Sequence, residues 1–129
     1  MIDAGLAYSR RVLELFRALP TAGDLAAGEG TVIVGEAIAL DRSAWVRFEA
    51  RADAGRIVDT AFRAFGCPHT LAAAALASLA LRGQTLTEAT AINAGRLAHD
   101  LDAPPEKMGR LLVVEDALRA LIRGAPRVQ

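Results

Sequence analysis

The residue with the clearest chemistry in this chain is Cys67, the only cysteine among 129 residues, set in the run Phe65-Gly66-Cys67-Pro68-His69-Thr70. A β-branched and aromatic stretch stops there at a glycine, and an alanine-rich helical stretch begins. Pro68 suits the first turn of a helix, where its missing N–H leaves no bond unmade, so Cys67 is the predicted N-cap. A helix N-terminus favours a thiolate, because the unsatisfied amides of the first turn present partial positive charge. One cysteine cannot form an internal disulfide, which agrees with a reducing compartment. Neither histidine, His69 or His99, has a nucleophile and a carboxylate beside it in the local sequence, so nothing points to a hydrolase triad. His99, next to Asp100, reads as a surface residue. There is no Walker loop, no G-x-G-x-x-G fingerprint and no internal repeat.

The elements that must position this corner follow from periodicity and punctuation. Residues 3 to 18 carry Leu6, Val12, Leu13, Leu15 and Phe16 at mostly helical spacing, with Leu19 just beyond, and Pro20 ends the run. Thr21 to Gly30 is a loop. A strand is predicted from Thr31 towards Ala39, and Ser43 to Arg51 alternates, with Ala44, Val46, Phe48 and Ala50 facing the core and Trp45, Arg47, Glu49 and Arg51 facing water. Asp53-Ala54-Gly55 marks a hairpin turn into a third strand, Arg56 to Phe65. After Cys67 come a largely buried helix to Leu81 or Arg82 with Gly83 as its cap, and a capping box at Thr85-Leu86-Thr87-Glu88 opening a short helix through Ile92. A loop at Asn93-Ala94-Gly95 precedes a helical run from Arg96 to Leu101. Pro104-Pro105 ends that run and opens a final helix from about Glu106 to Arg123. The predicted class is α+β: one domain over 1–129, a small three-stranded antiparallel sheet with helices packed on one face.

Composition narrows the function. Fifteen basic and fifteen acidic side chains balance, with no cluster of cations, which argues against nucleic acid. The longest apolar stretch, Leu71 to Leu81, is too short and alanine-rich to span a bilayer, and no secretory signal pattern opens the chain, so a cytoplasmic protein away from the membrane is expected.

Several of these residues, in this order and spacing, carry a family resemblance. They are Phe62 with Phe65-Gly66-Cys67, Arg82-Gly83, Leu86-Thr87-Glu88-Ala89 with Ala91-Ile92, Leu101 with Pro104-Pro105-Glu106-Lys107, and Glu115-Asp116-Ala117-Leu118. Tyr8-Ser9 with Val12, and later Pro20 and Gly23, match an opening motif. The sequence resembles the IscU type of iron-sulfur cluster scaffold, also found as the N-terminal domain of NifU, over most of its length. The resemblance implies a cluster or zinc ion held by three cysteines and an aspartate, with a histidine beside the third cysteine. On this sequence the first cysteine falls on Ala39, the aspartate on Asp41, the second cysteine on Cys67, and the histidine and third cysteine on Gly109 and Arg110. Only Cys67 and Asp41 remain as metal ligands of that set, and they do not complete a four-coordinate site in a monomer. His69 is a poor substitute, since a side chain two positions along a helix points away from its neighbour.

Two readings of Arg110 stay open at this point. Its guanidinium, standing where a thiolate would be, offsets Asp41 and lowers the Cys67 pKa, or it points into solvent beside an inert thiol. The proline motif implies chaperone recruitment in the family, but here it begins with Ala103 and has Glu106 before its lysine, so that role is not expected. The overall expectation is a non-enzymatic, divergent scaffold-like protein, unable to build a cluster alone and partnered by a cysteine desulfurase or another iron-sulfur assembly protein. The alternatives are a single-cysteine persulfide acceptor using Cys67 and a binding module that keeps only the fold.

Overall fold

The computed structural model describes residues 8–124. Helix α1 (Arg10–Ala18) is followed by strands β1 (Thr31–Ile38), β2 (Trp45–Asp53) and β3 (Arg56–Phe65). Then come helices α2 (Pro68–Leu81), α3 (Leu86–Ala89) and α4 (Ala94–Leu101), a 3-10 turn at Pro105–Lys107, and α5 (Met108–Arg123). The strands form one antiparallel sheet in the order β1-β2-β3, as the alternation and hairpin signals require. The predicted first helix is seen from Arg10; its residues 3–7, Leu6 included, lie outside the described residues. Ser9 caps it, accepting from the Val12 N–H at 3.1 Å while its hydroxyl donates to the Leu101 carbonyl of α4. One side chain thus starts α1 and fixes it to the far end of α4.

The inner face of the sheet carries Ile33, Val46, Phe48, Ala50 and Phe62, all buried. Helix α5 covers β1 and β2, and α2 covers β3, with α1 and α4 packed in turn on α2. Because α2 is enclosed on several sides, Ala72 to Ala75 and Ala77 are fully buried, and small side chains let the helix approach its neighbours closely. On β1 the close approach is extreme. A Cβ on Gly35 would lie 2.0 Å from the Leu121 nitrogen of α5, so glycine there sets the distance between sheet and helix.

Several boundaries differ from expectation. The capping box at Thr85 forms, with both reciprocal bonds, but its helix ends at Ala89 and not at Ile92. Asn93 is a cap where a loop was predicted: its side chain accepts from the Arg96 N–H, so α4 starts two residues early, at Ala94. The prolines open a 3-10 turn before α5 proper begins at Met108. The largest correction is Arg51, predicted to face water but only 8% exposed. It stays on the side of Trp45, Arg47 and Glu49, yet the loop before β1 folds over it. Its guanidinium donates to the carbonyls of Ala26 and Gly28.

Candidate functional site

Strand β3 ends at Phe65 and the chain turns through Gly66, held at φ +149°, where a Cβ would press to 2.9 Å on the Thr70 side chain. Glycine therefore lets the chain enter α2 with Cys67 at the predicted N-cap. The thiol does not cap as an oxygen would. Its sulfur lies 3.6 Å from the Thr70 hydroxyl and is partly exposed. Burial pushes the Cys67 thiol up, but the backbone N–H and hydroxyl of Thr70, the backbone N–H of His69 and the charge of Lys107 together outweigh it. The net result is a thiol below its ordinary pKa, with the polar groups of the first helical turn as the largest lowering influence. Lys107, which the sequence did not single out, is a cation whose charge acts on it.

Arg110 instead belongs with Asp41. Ala39, Asp41, Gly109 and Arg110 line a cavity of about 630 Å³ together with Leu40, Glu106, Leu112 and Asp116. Within it Asp41 accepts from the Ser43 hydroxyl and backbone N–H, and Arg110 stands 4.0 Å away. These bonds, with Ser43 the larger cause and Arg110 a further one, hold the Asp41 carboxyl below the usual carboxylate range. Four of the five positions singled out in the sequence thus share one cavity. Cys67 is not among its lining residues; it lies within the field of Lys107, whose neighbour Glu106 is.

His69 holds a place that sequence reasoning did not foresee. It is 1% exposed and packs against the Tyr8 ring at 5.0 Å between centroids. Neither ring nitrogen has a hydrogen-bond partner among the described residues. Burial, then the charge of Lys107, pushes its pKa down, with Glu106 opposing. It is not placed as a ligand, as its position in the first turn implied. His99 is exposed. Thr70 and Ser43 were also missed, although both left a local signal: Thr70 is three residues after the N-cap, and Ser43 is two after an aspartate, the spacing of a side-chain turn. Lys107 left none as a neighbour of Cys67.

Residues 7–126 match the family described as NifU-like N terminal domain. The chain belongs to this family. Its members include iron-sulfur cluster assembly scaffolds: the chain is 31% identical over 122 residues to the scaffold protein IscU of Azotobacter vinelandii, covering 92% of this chain and 93% of that one. It is 37% identical over 71 residues to the iron-sulfur cluster assembly protein 2 of Arabidopsis thaliana, a match that spans 55% of this chain and only 44% of that protein. Among solved structures, a candidate iron-sulfur cluster assembly scaffold protein for the SUF system from Fervidobacterium islandicum superposes with a TM-score of 0.73 over 93% of this chain and 99% of its own, at 19% identity. A NifU-like N-terminal protein from Brucella abortus gives 0.56 over 95% of this chain and 85% of its own, also at 19% identity. At such identities the superpositions speak for the fold alone.

Among the described residues no group of three His, Cys, Asp or Glu side chains could hold a metal ion. The cavity that Asp41 lines is lined also by the Arg110 guanidinium. No helix among the described residues is long and apolar enough to cross a membrane.

Proposed function

We propose that this chain is a divergent scaffold-family protein that does not assemble a cluster alone and instead carries sulfur on Cys67 as a persulfide. The observation that supports this reading is the environment of the sulfur: a single partly exposed thiol aimed at the first-turn donors of α2, with no second thiolate to share a metal. Sulfur transfer needs nothing more than an accessible thiolate. The Cys67 thiolate attacks the outer sulfur of a donor persulfide, R–S–SH. The new S–S bond gives Cys67–S–SH, the old one breaks, and the donor leaves as R–S⁻, so no external oxidant or reductant is consumed. Cys67 is then a stoichiometric carrier and the chain is not an enzyme. A cysteine desulfurase bearing a persulfide is the donor of matching chemistry, working with other iron-sulfur assembly proteins. Phe65, Ile38 and Leu40, exposed apolar side chains at this end of the sheet, give such a protein a surface to rest on.

Incubation with a desulfurase and cysteine should add 32 Da to the intact protein, on Cys67, and Cys67→Ser should abolish the adduct. Alkylation of Cys67 followed against pH should report an apparent pKa below the free-thiol value of about 8.5. An unmodified protein, or a thiol that titrates at or above the free value, would sink the proposal. The protein should stay colourless after incubation with iron and sulfide; visible cluster absorbance from the isolated protein would overturn the claim that it builds none alone. If the chain were only a binding module, Cys67→Ser would leave its partner function intact.

A further inference from the structure

The tip of the β1–β2 hairpin is tied to the start of α5 by three side chains. Ser43 uses its hydroxyl in both capacities, giving its hydrogen to Asp41 Oδ1 at 2.5 Å and accepting from the Arg110 guanidinium. The Ser43 backbone N–H also donates to Asp41 Oδ1, at 3.0 Å, and Arg110 stands 4.0 Å from that oxygen. At the base of the tip the Ala39 N–H donates to the Ala44 carbonyl at 2.8 Å. The tip's own turn, Arg42 N–H to Ala39 carbonyl at 2.8 Å, holds Arg42 at φ +62°, a conformation disfavoured for a side chain of this kind. Leu40 at the tip is fully exposed.

We infer that the Arg110 guanidinium is an internal counter-cation that fastens the hairpin tip to α5, so that this end of the molecule is ordered without a metal ion. The charges around it favour that role. The cavity is lined by three carboxylates, Asp41, Glu106 and Asp116, and one cation, Arg110. All three are exposed, and the guanidinium carried on α5 is always present, always charged and forked to reach two acceptors. An incoming divalent ion would meet like charge on the Arg110 guanidinium and, at Asp41 Oδ1, an oxygen already accepting from Ser43. It would also find no third ligand among the described residues. The tie rests on no property of Cys67, so its test is separate from that of the sulfur-carrier proposal.

Hydrogen exchange of the amides from 39 to 44, with thermal unfolding beside it, tests this on the full chain and on Arg110→Gln and Ser43→Ala. In the unaltered protein, exchange and melting should be the same in EDTA and in excess Zn²⁺. Both variants should exchange about 3- to 5-fold faster at the tip, the size expected for a partly exposed ion pair, while β2 and α2 keep their protection. Ser43→Ala leaves α5 untouched and so reads the tie even where Arg110→Gln folds poorly. Zn²⁺ slowing exchange at the tip of the unaltered protein, or both variants retaining its protection, would overturn the inference.

Discussion

Gly35→Ala is expected to lower folding stability by about 3 kcal/mol or more, beyond the usual cost of overpacking a core. The added methyl would stand 2.0 Å from the Leu121 nitrogen, 2.4 Å from its Cα and 2.6 Å from the Ala117 carbonyl oxygen. All three are backbone atoms of α5, so no rotamer change relieves the contact. Either the helix lifts from β1 or the strand bends away, and both separate Leu118 and Leu121 from the inner face of the sheet. Gly109→Ala is the control. At that position, also on α5, a Cβ meets open space and the backbone is helical, so the same added methyl should stabilise by about 0.5–1 kcal/mol. Urea midpoints of the two variants should therefore move in opposite directions. A Gly35→Ala protein with an unaltered midpoint would mean that the sheet and α5 are not packed this closely.

His69→Leu is expected to act the other way, stabilising by about 1–2 kcal/mol at neutral pH. A buried polar atom without a partner forfeits the bonds it makes with water in the unfolded chain, whereas a leucine of similar volume forfeits none. Among the described residues, both imidazole nitrogens are in that position. The pH dependence gives a second signature. The folded pKa of His69 lies below its ordinary value of 6.5, chiefly through burial. Between the folded value and 6.5 the unfolded chain binds more protons, so stability rises with pH across that window. The contribution of the neutral imidazole is complete above about pH 6.5 and is lost as pH falls towards the folded value. The stability gap between His69→Leu and the unaltered protein should thus widen on acidification from pH 7 to pH 5. A constant gap would show that His69 titrates normally, and a destabilised variant would show that its nitrogens are satisfied. A histidine buried two positions from Cys67 with no partner among the described residues is a cost that packing alone does not explain, which makes the sulfur-transfer competence of His69→Leu worth measuring in the same preparation.

The elements around the site were legible because their signals are local. Alternation through Val46, Phe48 and Ala50, the turn at Asp53-Ala54-Gly55, the box at Thr85 and Glu88, and Pro68 after Cys67 each act within a few residues, and each formed as expected. The residue types at Ala39, Asp41, Gly109 and Arg110 were likewise plain, and with them the shortage of ligands. The strand ends and short helices were less legible, because Asn93 in one context reads as a loop residue and in another as a cap.

What only the tertiary structure decided depends on chain segments far apart in sequence. Arg51 has an alternation that sends it to water, and a loop more than 20 residues earlier buries it. The partner of Arg110 is set by a hairpin 67 residues away, and the charge of Lys107, remote from Cys67 in sequence, acts on the thiol through space. His69 looked like an ordinary first-turn residue until Tyr8 closed over it. The sequence alone determined the fold class and the residue types at the positions singled out, since both are written in residue type and short-range spacing. The surroundings of the Cys67 thiol and of Arg110 came from packing: electrostatics acts through space, and a sequence does not state which remote charges will be brought within reach.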